Sequence, residues 1–285
     1  KYLCNGGNKC RKLEYIMGHT LDNNYDTIIT CGAVQSNHCM LTTSAAKKEG
    51  LDCYIVLEER VNKSYNEDAS GNNYLYELLG AKKILTTKGN TKNRMKQLND
   101  ELKEQGKNPI IVPGGGSYPI ENQGYIDCAN EIIEYGYQNN IHFDYIFVCS
   151  GSGGTHSGLH VGFKHDNYNT KVIGISNNLS KKEQIDRIYK QSTELVNYLD
   201  LDIEIKKEEI YVDDSYVGKG YSLETDGMKK ALKLFAQKEG ILLDAVYTGK
   251  CADGVIDYAL KEGKNKNILF VHTGGATNLF HYKPI

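Results

Sequence analysis

No charge of one sign dominates this chain: 34 Lys and Arg stand against 36 Asp and Glu, a net charge of −2 over 285 residues. With both signs scattered there is no broad electrostatic footprint for nucleic acid or an anionic membrane, so neither is expected as a partner and the ligand should be small. Long apolar runs are missing too. Ile110 to Val112 and Tyr145 to Cys149 are strand-sized, well short of the roughly 20 residues that cross a bilayer, and a soluble protein is expected. The eight cysteines, at 4, 10, 31, 39, 53, 128, 149 and 251, form no C-x-x-C pair, and several lie inside apolar runs. That pattern points to reduced, mostly buried thiols in a reducing compartment, here the cytoplasm, rather than to a disulfide frame or a zinc knuckle. An initial Met is also absent, and a glycine-lysine motif stands almost at the first residue. A preceding segment is therefore expected to have been trimmed, and any targeting peptide would belong to it.

What is present begins with Gly6-Gly7-Asn8-Lys9-Cys10-Arg11-Lys12, a glycine pair followed by three cations within four residues. Two glycines let the backbone turn and come close to a ligand. Lys9 then leaves the turn where a helical apolar pattern begins at Leu13, Ile16 and Met17, with Lys12 one turn further along the same face. This suits an amine held over a ligand; an ordinary solvated basic helix start would read the same way. The length favours two packed lobes, because single cores stop growing at about 250 to 300 residues.

Strands and helices then alternate. Thr27 to Cys31 reads as a strand, Gln35-Ser36-Asn37-His38 as a turn with helix-capping residues, and Cys39 to Glu49 as a helix closed by Gly50. Strands are predicted at Cys53 to Leu57, Lys82 to Leu85 and Pro109 to Val112, helices at Tyr74 to Leu79 and Asn93 to Gln105, and a polar loop over 58–73. Right-handed β-α-β units in parallel sheets follow from that alternation. Pro113-Gly114-Gly115-Gly116-Ser117 breaks it, and a helix from Gln123 to Tyr135 resumes it. The strand Tyr145 to Cys149 runs into Ser150-Gly151-Ser152-Gly153-Gly154-Thr155-His156-Ser157-Gly158, with a helix from Leu159. Such a turn offers successive N–H groups and hydroxyls at a helix N-terminus, a cradle for phosphate. It is neither a P-loop nor a dinucleotide fingerprint, so a monophosphate fits best. His156 and His160 lie four apart without a third ligand, and no metal is expected. After a strand from Lys171 to Ile175, the charged stretch from Ser180 to Asp200 reads as a solvated outer helix. Gly220-Tyr221 precedes a helix from Asp226 to Glu239. Leu242 to Val246 reads as a buried strand ending in Tyr247-Thr248-Gly249-Lys250, and a helix from Asp253 to Glu262 follows. A last strand, Ile268 to His272, ends in Thr273-Gly274-Gly275.

A lysine behind a glycine turn, a capping Ser-Asn, a monophosphate cradle and two tyrosines beside glycines together imply a phosphate-bearing aldehyde held as a Schiff base, which is pyridoxal phosphate. The motifs GGNKCRKLEY, GAVQSNH, SGSGGTHSGL, VYTGK and HTGGA, in this order, resemble the D-cysteine desulfhydrase and 1-aminocyclopropane-1-carboxylate deaminase family over nearly the whole chain. The resemblance implies an α/β fold of two doubly wound, mostly parallel lobes, pyridoxal-phosphate fold type II, like tryptophan synthase β. In it 1–20 and 120–285 would form the larger cofactor-binding lobe and 21–119 the smaller lobe with the Ser-Asn-His loop. Lys9 matches the lysine that carries the cofactor and moves the α-proton, and Lys12 a phosphate contact joined by Gly151, Ser152, Gly153, Gly154 and Thr155. Asn37 matches the partner of the cofactor's phenolic oxygen. Ser36, Asn37 and His38 match the turn that holds the substrate carboxylate, with Ser36 also a candidate nucleophile or proton carrier. Tyr221 and Tyr247 match two tyrosines that face the substrate.

Thr248 stands beside the expected place of the pyridine nitrogen, where the deaminase pattern has Glu. A hydroxyl leaves that nitrogen largely uncharged, a weaker electron sink than ring opening of a cyclopropane asks for. The implied reaction is thus β-elimination from a small amino acid, D-cysteine above all, by a homodimer. Ring-opening deamination of 1-aminocyclopropane-1-carboxylate, a related amino-acid ammonia-lyase activity and a non-catalytic small-molecule binder are the alternatives. Two departures bear on the substrate: Met40-Leu41 replace the usual Arg-Gln, and Tyr118-Pro119-Ile120-Glu121 replaces a run of small residues, with Glu121 expected as a solvated loop carboxylate; pointing into the cleft, it would instead meet a cation on a substrate other than D-cysteine.

Overall fold

Apolar strands too short to be helices, each followed by an amphipathic helix, build two separate parallel sheets in the computed structural model, which describes residues 3–60, 65, 68 and 70–282. The polar loop expected over 58–73 falls partly outside the described residues, at 61–64, 66, 67 and 69. The chain divides into two compact units, one formed by residues up to Gly116 with Phe280–Tyr282, the other by Ser117–Leu279. The first helix, α1 (Asn8–Asp22), groups with the first unit, where it packs on α2 (Asn37–Lys48); the sequence reading places 1–20 with the larger lobe instead.

The first unit continues with β1 (Thr27–Ala33), β2 (Asp52–Glu58), α3 (Gly71–Leu78), β3 (Lys82–Thr86), α4 (Thr91–Glu104) and β4 (Pro109–Ile111). Its strand order is β3-β2-β1-β4, all parallel. β1 and β2 are buried along almost their whole length, the pattern of strands covered on both faces. Ile29, Cys31 and Val56 pack against Met95, Leu98 and Leu102 of α4 to form one of those faces. Chain order runs outward from β1 in one direction and returns to β4 on its other side. The carboxyl ends of β1 and β4 therefore flank a topological switch point, where open α/β sheets leave a crevice for ligands.

The second unit repeats this plan with α5 (Pro119–Asn139), β5 (Tyr145–Ser150), α6 (Gly154–His165), β6 (Lys171–Ser176), α7 (Lys181–Tyr198), β7 (Tyr211–Asp213), α8 (Asp226–Glu239), α9 (Thr248–Lys261) and β8 (Ile268–Val271). The order is β7-β6-β5-β8, again parallel throughout. Along β5, Ile146 and Val148 enter the core beneath α5 and α6, while Phe147 and Cys149 enter the core with Cys251 of α9. Its switch point lies between β5 and β8, so the glycine loop after Ser150 and the segment after Val271 start there.

Several elements differ from expectation. Residues 242–246 form no strand, because the Asp244 carboxylate captures the N–H groups of Val246, Tyr247 and Thr248 that a ladder would need. The helix after them begins at Thr248 rather than Asp253. α6 likewise starts at Gly154, so Thr155 and His156 lie in its first turn. Glu121 is a buried N3 residue of α5 whose carboxylate accepts the Tyr118 N–H, not a solvated loop carboxylate. Nor is α7 simply a solvated helix: Gln184, Ile188, Ser192, Leu195 and Val196 form a buried face. All eight cysteines are unbridged, six of them buried. Among the described residues no helix is long and apolar enough to cross a membrane, and no group of three or more His, Cys, Asp or Glu could hold a metal.

Candidate active site

In the first unit, Lys9 and Lys12 occupy the first two turns of α1, one face apart by three residues, and both turn toward the glycine segment after β4. The Lys9 amine donates to the Gly115 carbonyl at 2.7 Å, and Lys12 donates to Gly116 O at 2.6 Å and to Gly115 O at 3.5 Å. Lys9 is only 9% exposed and Lys12 1%, so this is not a solvated basic helix start. Two ammonium groups gathered on carbonyls at the β1–β4 switch point make a positive, anion-accepting place. His38 registers that charge. Burial first, then Lys9 and Lys12, holds its imidazole well below the ordinary 6.5, so it is neutral, with Nε2 2.8 Å from Thr30 Oγ1.

Ser36 caps α2, its Oγ accepting from Cys39 N at 3.2 Å. The close approach needs Gly32, where an added Cβ would sit 2.5 Å from Ser36 Oγ. Behind the turn, α3 holds it in place: Tyr76 donates to Ser36 O at 2.9 Å, and Asn72 Nδ2 donates to Gln35 O at 3.0 Å and to Asn37 Oδ1 at 2.6 Å. With its oxygen engaged, Asn37 presents its Nδ2 as a donor, the polarity a phenolic oxygen asks for.

In the second unit, residues 151–153 lead from β5 into the N-terminus of α6, where the first-turn N–H groups have no intrahelical acceptor. Gly153 holds φ +100°, a conformation that L side chains rarely adopt. Ser117 donates to Ser152 Oγ at 2.9 Å. Three side chains of α7 reach the loop from behind: Gln184 donates to Ser150 Oγ (2.8 Å) and Gly151 O (3.1 Å), Arg187 to Gly151 O (2.9 Å) and Gln191 to Ser152 O (2.8 Å). Beneath it, His156 Nδ1 lies 3.0 Å from Ser150 Oγ, and burial, with His160 nearby, pushes its pKa down to about 3.

Tyr221 and Tyr247 meet with their hydroxyls 2.5 Å apart and their rings edge to face. Each is fixed by a buried charge. Asp244 accepts from the N–H groups of Val246, Tyr247 and Thr248, and Lys250 Nζ donates to Val217 O at 2.7 Å and Gly220 O at 2.9 Å, directly before Tyr221. Burial pushes the Asp244 carboxyl up and the Lys250 ammonium down. The Thr248 hydroxyl is locked as well: it accepts from Asp244 N at 2.7 Å and donates to Asp244 Oδ1 at 2.8 Å.

These donors fit pyridoxal phosphate. An amine, an amide N–H for an oxygen, a neutral hydroxyl and a glycine loop on a helix N-terminus are all present. The cradle also needs its glycines, since a Cβ on Gly151 would lie 3.0 Å from Asn177 Oδ1. Lys9, Lys12, Ser36, Asn37 and His38 are thus brought together in the first unit, and Gly151–Thr155, Tyr221, Tyr247 and Thr248 are placed in the second. Sequence reasoning misses Asn72, Asp244, Lys250 and the α7 side chains. For Asp244 the signal was an acid four residues before a helical Thr; for α7 it was the 184, 187, 191 spacing on one helical face.

Comparison with known proteins gives the same picture. A family described as "Pyridoxal-phosphate dependent enzyme" matches residues 4–274. The chain is 36% identical to D-cysteine desulfhydrase of Serratia proteamaculans (strain 568), over 98% of this chain and 85% of the other. A crystal structure of an ACC deaminase homologue superposes with a TM-score of 0.89 at 34% identity, covering 99% of this chain and 84% of that one. A hydrogen sulfide-producing enzyme from Fusobacterium nucleatum shares the fold, with a TM-score of 0.68 at 15% identity over 97% and 79% of the two chains. The chain belongs to the pyridoxal-phosphate dependent enzymes, in the group that contains D-cysteine desulfhydrase.

Proposed function

We propose that this enzyme is a carbon–sulfur lyase that takes D-cysteine and water to pyruvate, ammonia and hydrogen sulfide. The observation that carries this reading is the neutral, doubly held hydroxyl of Thr248, whose own proton goes to Asp244. When bound, pyridoxal phosphate withdraws electrons from the substrate's α-carbon. With a hydroxyl rather than a carboxylate at 248 that withdrawal is moderate, enough to expel a thiolate from the β-carbon and less suited to opening a cyclopropane ring.

In this reading Lys9 would hold the cofactor, and its amine would take the proton from the substrate's α-carbon. Its amine already has a direction, set by the Gly115 carbonyl. Lys12 would supply positive charge beside it in the first unit, and the N–H groups of 151–155 in the second unit would take the phosphate. Ser36, its oxygen accepting from Cys39 N, keeps a hydroxyl proton to offer a substrate carboxylate beside neutral His38. Tyr247, short-bonded to Tyr221, holds the proton that the departing sulfur receives.

The test is to load the purified protein with pyridoxal phosphate and assay D-cysteine, L-cysteine, D-serine and 1-aminocyclopropane-1-carboxylate for keto acid and hydrogen sulfide. Hydrogen sulfide and pyruvate from D-cysteine in preference to the others is the expected result. Keto acid from the cyclopropane substrate with no hydrogen sulfide from either cysteine would overturn it.

A further inference from the structure

We propose that Gln184, Arg187 and Gln191 of α7 are positioning residues that hold the 150–153 loop in the one arrangement able to take the cofactor's phosphate. The proposal rests on reading 151–155 as the phosphate cradle. A glycine-rich loop is a poor anion site unless something fixes its peptides, since each peptide carries a donor and an acceptor and glycine flips easily between the two presentations. A carbonyl turned inward would face the anion with its negative end. In this loop the carbonyls of Gly151 and Ser152 are drawn outward by three donors, Gln184 and Arg187 on the first and Gln191 on the second, at 3.1, 2.9 and 2.8 Å. The N–H side of those peptides is thereby turned away from α7.

The three residues are separated by three and four positions, so they share one face of α7. That helix is itself anchored by Ile188, Leu195 and Val196 in a core with Val161 of α6 and Val212 of β7. Donors on a rigid element fix a loop better than donors on another loop. The two glutamine amides are oriented for this purpose alone: their Nε2 atoms go to the loop, while both Oε1 atoms are buried without a partner. An added Cβ on Gly153 would lie 2.6 Å from Gln191 Oε1, so the loop and the helix are already in close contact. Arg187 adds a full positive charge on the Gly151 carbonyl, beside a loop that has no lysine of its own.

Gln191→Glu keeps the shape and helical character of residue 191 but sets an acceptor against the Ser152 carbonyl. Arg187→Met removes the charge and one donor to Gly151. The cofactor-free proteins are titrated with pyridoxal phosphate and with pyridoxal, which lacks the phosphate; Thr155→Val serves as the control within the cradle. The expected result is a pyridoxal phosphate dissociation constant raised about 10- to 100-fold in both α7 variants, the scale on which groups that orient a ligand's direct partners act. Pyridoxal affinity and the melting temperature of the cofactor-free protein should stay at wild-type values, and the ³¹P resonance of the bound cofactor should move. If Thr155→Val weakens pyridoxal phosphate while both α7 variants bind it as wild type does, the positioning role falls and the cradle stands. If Thr155→Val also has no effect, the cradle reading itself falls. Equal weakening of both ligands, with a lowered melting temperature, would mean that α7 only packs. Should Gln191→Glu fail to fold, Arg187→Met decides by the same ratio of the two affinities.

Discussion

Lys9 reaches the Gly115 carbonyl from the first turn of α1, nearly buried and with Lys12 on the same glycine segment, so its amine has a fixed direction, as the proposed role needs. Replacing it with alanine leaves the helix intact, because alanine is the best helix former and the cation's partner carbonyl keeps Lys12. Lys9→Ala should therefore retain its far-ultraviolet dichroism, lose borohydride-stable labelling of residue 9, and fall at least about 10²- to 10⁴-fold in turnover. Undiminished keto-acid release would end the role assigned to it. Thr248 has a different kind of constraint. Its hydroxyl closes a ring with Asp244 through two bonds in a fully buried place. Thr248→Glu would set a second carboxylate beside a carboxyl that burial already pushes up, a like-charge pair that raises at least one pKa further. The variant should lose about 1–3 kcal/mol in urea unfolding and shift its product ratio from D-cysteine cleavage toward ring opening. An unchanged ratio and an unchanged visible spectrum would remove Thr248 from the cofactor's neighbourhood.

At the scale of elements, α3 acts as a brace for the turn that leads into α2. Asn72 ties Gln35 and Asn37 together, and its backbone N–H donates to Gln35 Oε1 at 2.8 Å. Asn72→Ala strands the Asn37 oxygen and the Gln35 carbonyl, so it should cost about 1–3 kcal/mol of stability and raise KM more than it lowers kcat; an effect on kcat alone would mean the brace does not orient a binding residue. How much of this was readable depends on the element. Strands such as Tyr145 to Ser150 are legible because both faces are buried and the run is apolar from end to end. The start of α2 is legible because Ser36 carries its cap in its own side chain. The starts of α6 and α9 are not, since Gly154 and Gly249 have low helix propensity and the structures that hold them lie elsewhere in the chain. Leu242 to Val246 has the composition of a strand, and only the hydrogen bonds to Asp244 decide otherwise. The residues of the candidate site that sit in glycine turns stand out in the sequence. Their supports do not, because Gln184, Arg187 and Gln191 read as ordinary surface polar residues until the carbonyls opposite them are known.

The whole molecule inherits an acid sensitivity from histidines that fold without their protons. On α6, burial pushes His156 down to about 3 and His160 down to about 4, His156 further through His160 and His160 further through Lys164. In the unfolded chain both return to about 6.5. Below that value the unfolded state binds protons that the folded state refuses, so stability is full above about pH 6.5 and is lost as pH falls toward the folded values. Each histidine contributes a slope of about 1.4 kcal/mol per pH unit inside its window. The neutral His38 of the first unit acts in the same direction, whereas the raised carboxyl of Asp244 opposes it, gaining a proton in the folded state as the pH drops. His160→Gln isolates one histidine from this sum, since glutamine is polar, of similar reach and has no titration. Between pH 7 and pH 5 the wild type should lose about 2 kcal/mol more in urea unfolding than the variant. Parallel losses in the two proteins would show that His160 is protonated equally in the folded and unfolded states, and its burial would then have no part in the acid response.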